Sequence, residues 1–186
     1  MDPEDFGMNT VVVYYSGKGS NRYLAGKAAE ALGCEALEIA PRAPGLVLPA
    51  TLTRISFGNK PFAANFNKYD RVVLCGPLYM GRIAAPCRDF IGKYGKEIQN
   101  LDFITCCGST DEKKDDTFGY GRVFGQLKER LGARAGVFEA FPIELVLTEE
   151  QKGDDQAMMN TRLNEGNFKG GASSRLEEFI SKLKSA

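Results

Sequence analysis

The stretch TVVVYYSGKGSN, residues 10–21, combines two local patterns and leads into a third. Thr10–Tyr15 is a continuous run of β-branched and aromatic residues, which is typical of a strand buried on both faces of a parallel sheet. The run gives way to a loop of small and polar residues, after which apolar residues recur at helical spacing as far as Leu32. Gly33 then stands where helices commonly end. The stretch therefore predicts a strand, a polar loop and a helix, the first unit of an α/β fold.

The rest of the chain continues this alternation. Apolar or half-alternating runs predict further strands at 34–40, 71–76, 101–108 and 135–143, and amphipathic runs predict helices at 84–94, 117–131 and 173–184. Strands of continuous apolar character that alternate with helices indicate a parallel sheet covered on both sides. We therefore predict an α/β protein with a three-layer, doubly wound, five-stranded parallel sheet.

Three segments lack a strong pattern. Residues 41–67 contain four prolines and two glycines and are predicted to be an insertion or flap, because they are too long for an ordinary loop. Residues 144–170 are polar without clear periodicity, and the acidic residues 1–8 are expected to be a flexible arm or a remnant of an expression vector. Residues 9–186 show neither a repeat nor a linker-like composition, and we expect a single domain there.

Composition excludes several classes of function. The formal net charge is zero, with 24 basic and 24 acidic residues, whereas a nucleic-acid-binding protein would need a basic excess. No run approaches the roughly 18 apolar residues that span a bilayer, so no integral membrane segment is expected. Five cysteines without a CxxC pair, and no histidine, argue against a metal site. They favour reduced thiols in a cytoplasmic protein.

Charge is less evenly distributed between Pro41 and Arg71. This segment carries five basic residues, at 42, 54, 60, 68 and 71, against Asp70 alone. It could attract an anionic partner or NAD(P)H, or it could simply be a solvated loop.

Doubly wound sheets bind ligands beyond the carboxyl ends of their strands, which here directs attention to the loops 16–21, 77–82 and 108–120. The first loop fails the Walker A pattern, because Val12 stands where the first glycine belongs. It fits two of three glycines of a dinucleotide fingerprint, with Arg22 at the third position. Glu38 could still supply the ribose-binding acid, so a dinucleotide site stays open.

The first loop has the composition of a phosphate site. Unpaired backbone N–H groups at the start of the following helix point toward an anion, and the helix dipole assists them. The hydroxyls of Ser16 and Ser20 and the amide of Asn21 could donate further hydrogen bonds. Lys18 either neutralises the phosphate or points into solvent. The alternative is an ordinary turn in which Ser20 only caps the helix.

The second loop, GPLYMGRI (76–83), places apolar residues just past a buried strand. Exposed side chains at Leu78, Tyr79 and Met80 are expected to be covered by a flat apolar ligand such as an isoalloxazine ring. The alternative is that Tyr79 folds back onto the core.

Three segments together resemble the flavodoxin-like FMN proteins: YYSGKGSN (14–21), GPLYMGRI (76–83) and FITCCGS (103–109). The resemblance covers about residues 9–142 and implies the strand order 2-1-3-4-5 and FMN as the cofactor. It implies a cofactor site made of Ser16, Gly17, Lys18, Gly19, Ser20, Asn21, Pro77, Leu78, Tyr79, Met80, Gly81, Cys107, Gly108, Ser109, Gly119 and Tyr120. Tyr120 is expected to be a second aromatic residue facing the ring.

The resemblance implies a protein that transfers electrons or reduces a small acceptor such as a quinone. Its partners would be a redox protein or a small-molecule acceptor, with NAD(P)H as a further possibility. Two alternatives remain, a flavodoxin-fold binding module without flavin and an NAD(P)-binding oxidoreductase. No catalytic side chain is predicted. Cys106 and Cys107 are adjacent on a strand and should therefore point to opposite faces of the sheet, which favours packing over redox chemistry.

Overall fold

The protein is represented by a computed structural model in which residues 8–185 are described. The arm predicted at 1–8 thus lies outside the described residues except for Met8. The five predicted strands form one parallel sheet in the order β2-β1-β3-β4-β5, and the predicted fold class and strand order are confirmed. The strands are β1 (Thr10–Tyr14), β2 (Ala36–Glu38), β3 (Arg71–Cys75), β4 (Leu101–Cys107) and β5 (Ala135–Pro142).

Within residues 8–185, six α-helices accompany the sheet. They are α1 (Ser20–Leu32), α2 (Val47–Thr53), α3 (Ala85–Tyr94), α4 (Tyr120–Leu131), α5 (Asp155–Asn160) and α6 (Gly171–Ser185). The fully buried valines of β1 show how the layers form: Val11 and Val13 pack in a cluster with residues of α3 and α4, while Val12 packs with residues of α1 and α6. Alternate residues of a strand face opposite sides of the sheet, and the apolar run therefore supplies both cores.

Two elements are at least three residues shorter than predicted. The second strand is shorter than predicted, because only Ala36–Glu38 pairs with β1 at the edge of the sheet. Helix α4 begins at Tyr120 rather than at 117, since the chain before it turns tightly: a Cβ added to Gly119 would lie 2.1 Å from the carbonyl oxygen of Lys114.

The segment predicted as an irregular insertion contains α2, which the sequence pattern did not reveal. Its buried residues, Val47, Ala50 and Thr51, have helical spacing, but the neighbouring leucines are exposed and obscure it. The segment is held in place because Ala85 N donates to Thr51 Oγ1 at 2.8 Å. The polar stretch 144–170 likewise contains a short helix, α5.

The side chain of Asn21 ties the start of α1 to β4. Its Nδ2 donates to Cys106 O at 3.2 Å, and Cys106 N donates to its Oδ1 at 2.8 Å. The last residue of β3, Cys75, pairs with Ile104, so Cys106 lies beyond the end of β3. Asn21, which is 4% exposed, thus supplies the hydrogen-bonding partners that β3 no longer provides to β4.

Replacing Asn21 by alanine should lower the free energy of unfolding by about 2–4 kcal/mol, because the buried N–H of Cys106 loses its partner and its C=O keeps only the long contact with Thr105 Oγ1 at 3.5 Å. Urea unfolding would measure the change. The exposed Asn67 provides the matched control, since Asn67→Ala should cost less than about 0.5 kcal/mol. Equal stability of the two variants would contradict this role of Asn21.

A buried ion pair joins β3, β4 and α6 at the other end of the sheet. Arg71 Nε lies 3.1 Å from Asp102 Oδ2, and the two side chains are 5% and 0% exposed. Arg71 Nη1 donates to Leu183 O, and Val137 N donates to Asp102 Oδ1 at 2.7 Å. Burial nevertheless raises the pKa of Asp102 to about 6, because desolvation outweighs the hydrogen bond from Val137 and the charge of Arg71.

This pKa predicts a pH dependence of stability. Between about pH 4 and pH 6 the folded protein binds the Asp102 proton more tightly than the unfolded chain does, so this residue's contribution to stability falls as the pH rises. Asp102→Asn removes the titration. The difference in unfolding free energy, wild type minus variant, should therefore decrease by on the order of 2–3 kcal/mol from pH 4 to pH 7 in denaturant titrations. A difference that stays constant with pH would rule this out.

Candidate functional site

A cavity of about 140 Å³ opens beyond the carboxyl ends of β1, β3 and β4. Strand order reverses between β1 and β3, so the cavity lies at the switch point where doubly wound sheets bind ligands. The first two predicted loops and the beginning of the third meet here. The lining residues are Ser16, Gly17, Lys18, Ser20, Asn21, Pro77, Leu78, Tyr79, Cys106, Cys107, Gly108, Ile143, Met158, Thr161 and Arg162.

The first loop presents backbone donors to the cavity. Gly19 has a φ of 101° and is the N-cap of α1, and its N–H donates to Ser16 Oγ at 3.0 Å. This turn exposes the N–H groups of the next residues, which as the first turn of a helix have no intrahelical partner. Together with the positive end of the α1 dipole, these donors are suited to an anion the size of a phosphate.

Two side chains of this loop differ from expectation. Ser20 is the first residue of α1 and not its cap; its Oγ accepts a hydrogen bond from Leu163 N at 3.2 Å. The side-chain amide of Asn21, predicted to donate to a phosphate, is partly engaged elsewhere, because its oxygen and one of its two N–H groups are bonded to Cys106. Asn21 can offer an anion its backbone N–H.

Gly17 and Tyr79 bring the first and second loops into direct contact. A Cβ added to Gly17 would lie 2.8 Å from Tyr79 Oη, so the absence of a side chain there allows the approach. Tyr79 is half-buried and lines the cavity. Burial, with smaller contributions from Tyr15 and Cys87, raises the pKa of Tyr79 to about 12. Its hydroxyl therefore stays protonated near neutral pH and can donate a hydrogen bond.

The second loop ends in a tight hairpin. Tyr79 N donates to Arg82 O at 2.8 Å and Arg82 N donates to Tyr79 O at 3.1 Å, with φ values of 49° at Met80 and 70° at Gly81. Two consecutive positive φ values are characteristic of a type I′ turn. Met80 is 60% exposed at its tip, while a Cβ on Gly81 would lie 2.8 Å from Thr117 O. The second loop therefore packs against the third.

The aromatic residue that the third loop exposes is not the predicted one. Tyr120 is buried, packs on Phe124 and donates to Asp111 Oδ1 at 2.7 Å, so the expectation that it faces the ring is wrong. Phe118, two positions earlier, is 60% exposed. It lines a second cavity of about 740 Å³ that shares Gly108 with the first. Ser109 and Gly119 also line this second cavity.

Four residues of the first cavity wall were absent from the predicted site: Ile143, Met158, Thr161 and Arg162. They follow β5 or belong to the stretch around α5, where the sequence shows no clear pattern. Arg162 Nη1 donates to the carbonyl oxygens of Met159 and Thr161, which leaves its other guanidinium nitrogens available at the cavity. Arg162 and Lys18 are the two cations in this wall.

The cysteines near the cavity are packed thiols. As predicted, Cys106 and Cys107 face opposite sides of the sheet: Cys106 packs in the cluster with α1 and α6, and Cys107 packs on Tyr120. Burial raises the pKa of Cys106 to about 12 and that of Cys107 still higher. Neither is a thiolate at neutral pH, which leaves no thiol nucleophile here. All five cysteines are free.

Glu38, which could have bound the ribose of a dinucleotide, forms an ion pair in the structure. Glu38 Oε1 accepts a hydrogen bond from Arg22 Nη2 at 2.9 Å. The arginine that departs from the glycine fingerprint thus pairs with the carboxylate that would bind a ribose, which weakens the support for a dinucleotide site at this loop.

Among the described residues, no helix is both long and apolar enough to cross a membrane. The same part of the chain holds no cluster of three or more His, Cys, Asp or Glu side chains that could bind a metal ion.

Comparison with solved structures shows the fold. A flavoprotein in complex with FMN from Lactobacillus acidophilus has a TM-score of 0.58 at 14% identity, covering 72% of this chain and 93% of that one. A short-chain flavodoxin associated with a PDU bacterial microcompartment has a TM-score of 0.54 at 18% identity, covering 96% and 98%. An NAD(P)H:quinone oxidoreductase from Methanothermobacter marburgensis has a TM-score of 0.51 at 12% identity, covering 96% of both chains.

A search of curated protein sequences gives no significant match. The model of the flavodoxin domain family, by contrast, matches residues 11–149, which include the five strands except Thr10 and the three loops around the cavity. The resemblance seen in the three loop motifs is thereby confirmed, and the chain belongs to the flavodoxin domain family.

Proposed function

We propose that the protein binds FMN at the carboxyl ends of its strands and passes electrons to or from a small acceptor such as a quinone, or a redox protein. The observation that carries the proposal is the meeting of the helix-start donors with Lys18 and Arg162 in one cavity, beside the exposed Met80 and Phe118. The flavoprotein relative was solved with FMN, and another neighbour is an NAD(P)H:quinone oxidoreductase, which supports the redox assignment.

The cavity fits the phosphate end of FMN. Its donors are backbone N–H groups at the start of α1, and Lys18 and Arg162 can balance the two negative charges of a phosphate monoester. Gly17 allows Tyr79 to pack against the first loop at the edge of this cavity, because a Cβ at Gly17 would lie 2.8 Å from Tyr79 Oη. The volume of about 140 Å³ suits the phosphate and the adjoining part of the ribityl chain, and the ring extends beyond it.

The surfaces beside the cavity fit the ring. Met80 and Phe118 are both 60% exposed on loops that touch through Gly81, and an apolar, flat group would remove them from water. Tyr79 forms the boundary between this surface and the phosphate cavity. The backbone groups of the 79–82 hairpin can reach the polar edge of a ring placed there.

FMN, when bound, supplies the one- and two-electron chemistry. The nearby thiols are protonated and Tyr79 keeps its proton. These side chains would therefore bind and orient FMN and take no part in its redox chemistry. Backbone groups of the hairpin and of Gly108 would adjust the reduction potential through hydrogen bonds to the ring.

The purified protein should take up added FMN with one-to-one stoichiometry and show a flavin spectrum. After photochemical reduction, the spectrum of the oxidised flavin should return on mixing with a quinone. Failure to take up FMN would instead favour a binding module that has lost its flavin. Uptake without reaction with quinones would restrict the proposal to electron exchange with a protein partner.

The phosphate cradle can be tested separately from the ring site. Arg162→Gln should weaken FMN binding about 10-fold, because one charge-assisted contact is lost, and should leave riboflavin binding unchanged, since riboflavin has no phosphate. Fluorescence titration measures both affinities. Arg122→Gln, an exposed change outside the cavity, serves as the control. Equal losses of affinity for FMN and for riboflavin would show that Arg162 only stabilises the cavity wall and does not contact the phosphate.

A further inference from the structure

A third cavity, of about 440 Å³, lies behind the Tyr79–Arg82 hairpin, between α2 and α4. We call it the arginine pocket, because four arginines line it: Arg54, Arg82, Arg88 and Arg130. None of the described residues in its lining is acidic; the others are Thr51, Ile83, Val123, Gln126 and Leu127. Four guanidinium groups around one cavity are a strong local excess in a chain whose formal net charge is zero.

The charge of Arg88 is already balanced. Its Nη2 lies 3.1 Å from Asp89 Oδ1, and its guanidinium also donates to Ala50 O at 3.3 Å and Ile55 O at 2.7 Å. Arg88 therefore serves to hold the segment around α2 against α3. Its partner, Asp89, also accepts a hydrogen bond from Ser56 Oγ at 2.8 Å.

The other three arginines have no carboxylate partner within the described part of the chain. Arg82 Nη1 donates to Leu52 O, which fixes the position of its side chain and leaves its other nitrogens available. Arg54 and Arg130 are exposed at the rim. Three like charges around one cavity repel one another, and an anion bound among them would relieve that repulsion.

The backbone at Arg54 strengthens the case that its position matters. Arg54, the C-cap residue after α2, has a φ of 62°, a left-handed conformation that glycine or asparagine adopts more easily. A side chain is less favourable than glycine in this conformation, because its Cβ lies close to the backbone. This unfavourable backbone conformation occurs at a residue that lines the arginine pocket.

The location and floor of the pocket indicate what it would hold. Arg82 follows Gly81 directly, and Gly81 belongs to the turn placed at the ring of the cofactor above. The buried Val123 and Leu127, with the half-buried Ile83, give the pocket an apolar floor. A molecule with an apolar body and oxyanion groups would satisfy both the floor and the rim.

We propose that the arginine pocket binds the oxyanion groups of the small-molecule redox substrate, so that the protein selects a phosphate- or carboxylate-bearing molecule over a neutral one. The identity of that molecule as a redox substrate rests on the proposed function. The binding of an anion at Arg54, Arg82 and Arg130 does not.

The first experiment measures anion binding alone. Calorimetry with the full chain, supplied with FMN, should detect pyrophosphate or citrate, and the tighter of the two indicates whether phosphate or carboxylate groups are preferred. Arg54→Gln with Arg130→Gln should weaken binding at least about 10-fold, because two charged donors are lost. Arg82 and Arg88 are left intact because they hold α2. Arg122→Gln, on the same helix as Arg130 but outside the pocket, should have little effect. No binding of either anion, or equal losses in the double variant and the control, would overturn the proposal.

The second experiment concerns selection. Reoxidation of the photoreduced protein is followed with naphthoquinone-2-sulfonate and with neutral menadione. The double variant should raise the half-saturating concentration of the sulfonate about 10-fold and leave that of menadione unchanged. Equal changes in the half-saturating concentrations of both quinones would overturn the proposal that the arginine pocket selects substrates by charge. If neither quinone reacts, the proposed reduction of quinones fails, whereas the pyrophosphate and citrate measurements still decide whether the arginine pocket binds anions.

Discussion

The hydrogen bonds between Asn21 and Cys106 are the constraint on which the cofactor end of the molecule depends. β3 ends before β4 does, and the backbone of Cys106 would otherwise be buried without partners on that side. By supplying those partners, Asn21 places the start of α1 above the ends of β3 and β4. The free N–H groups of the first helical turn then face the space between the first and third loops. One side-chain amide thus links the sheet to the start of α1 and to the loop before it.

Much of this architecture follows from local physical rules. The buried run of β1 and the alternation of strands and helices are sufficient to predict a parallel, doubly wound sheet, because both faces of each strand must be covered. The switch point then directs attention to the loops that line the first cavity. The family motifs in those loops add the strand order and the nature of the ligand, which periodicity alone does not determine.

The sequence was less informative where function depends on tertiary contacts. The amide of Asn21 is a suitable donor to a phosphate, yet it hydrogen-bonds the backbone of Cys106, because β3 ends before β4 does. Tyr120 and Phe118 are two positions apart, and which of them faces solvent is determined by the hydrogen bond of Tyr120 to Asp111. Arg162 reaches the cavity from a stretch without periodicity, so its approach depends on contacts such as that between Leu163 and Ser20. None of these arrangements is encoded in a local pattern.

The position of Arg162 in the chain has a consequence for biosynthesis. Translation proceeds from the N-terminus, and all five strands precede the segment that closes the cavity. A nascent chain that has formed its sheet still lacks the wall around Met158 and Arg162, and α6 has yet to cover the second face. The cavity is therefore completed only after the segment around Met158 and Arg162 has been synthesised, later than the sheet itself.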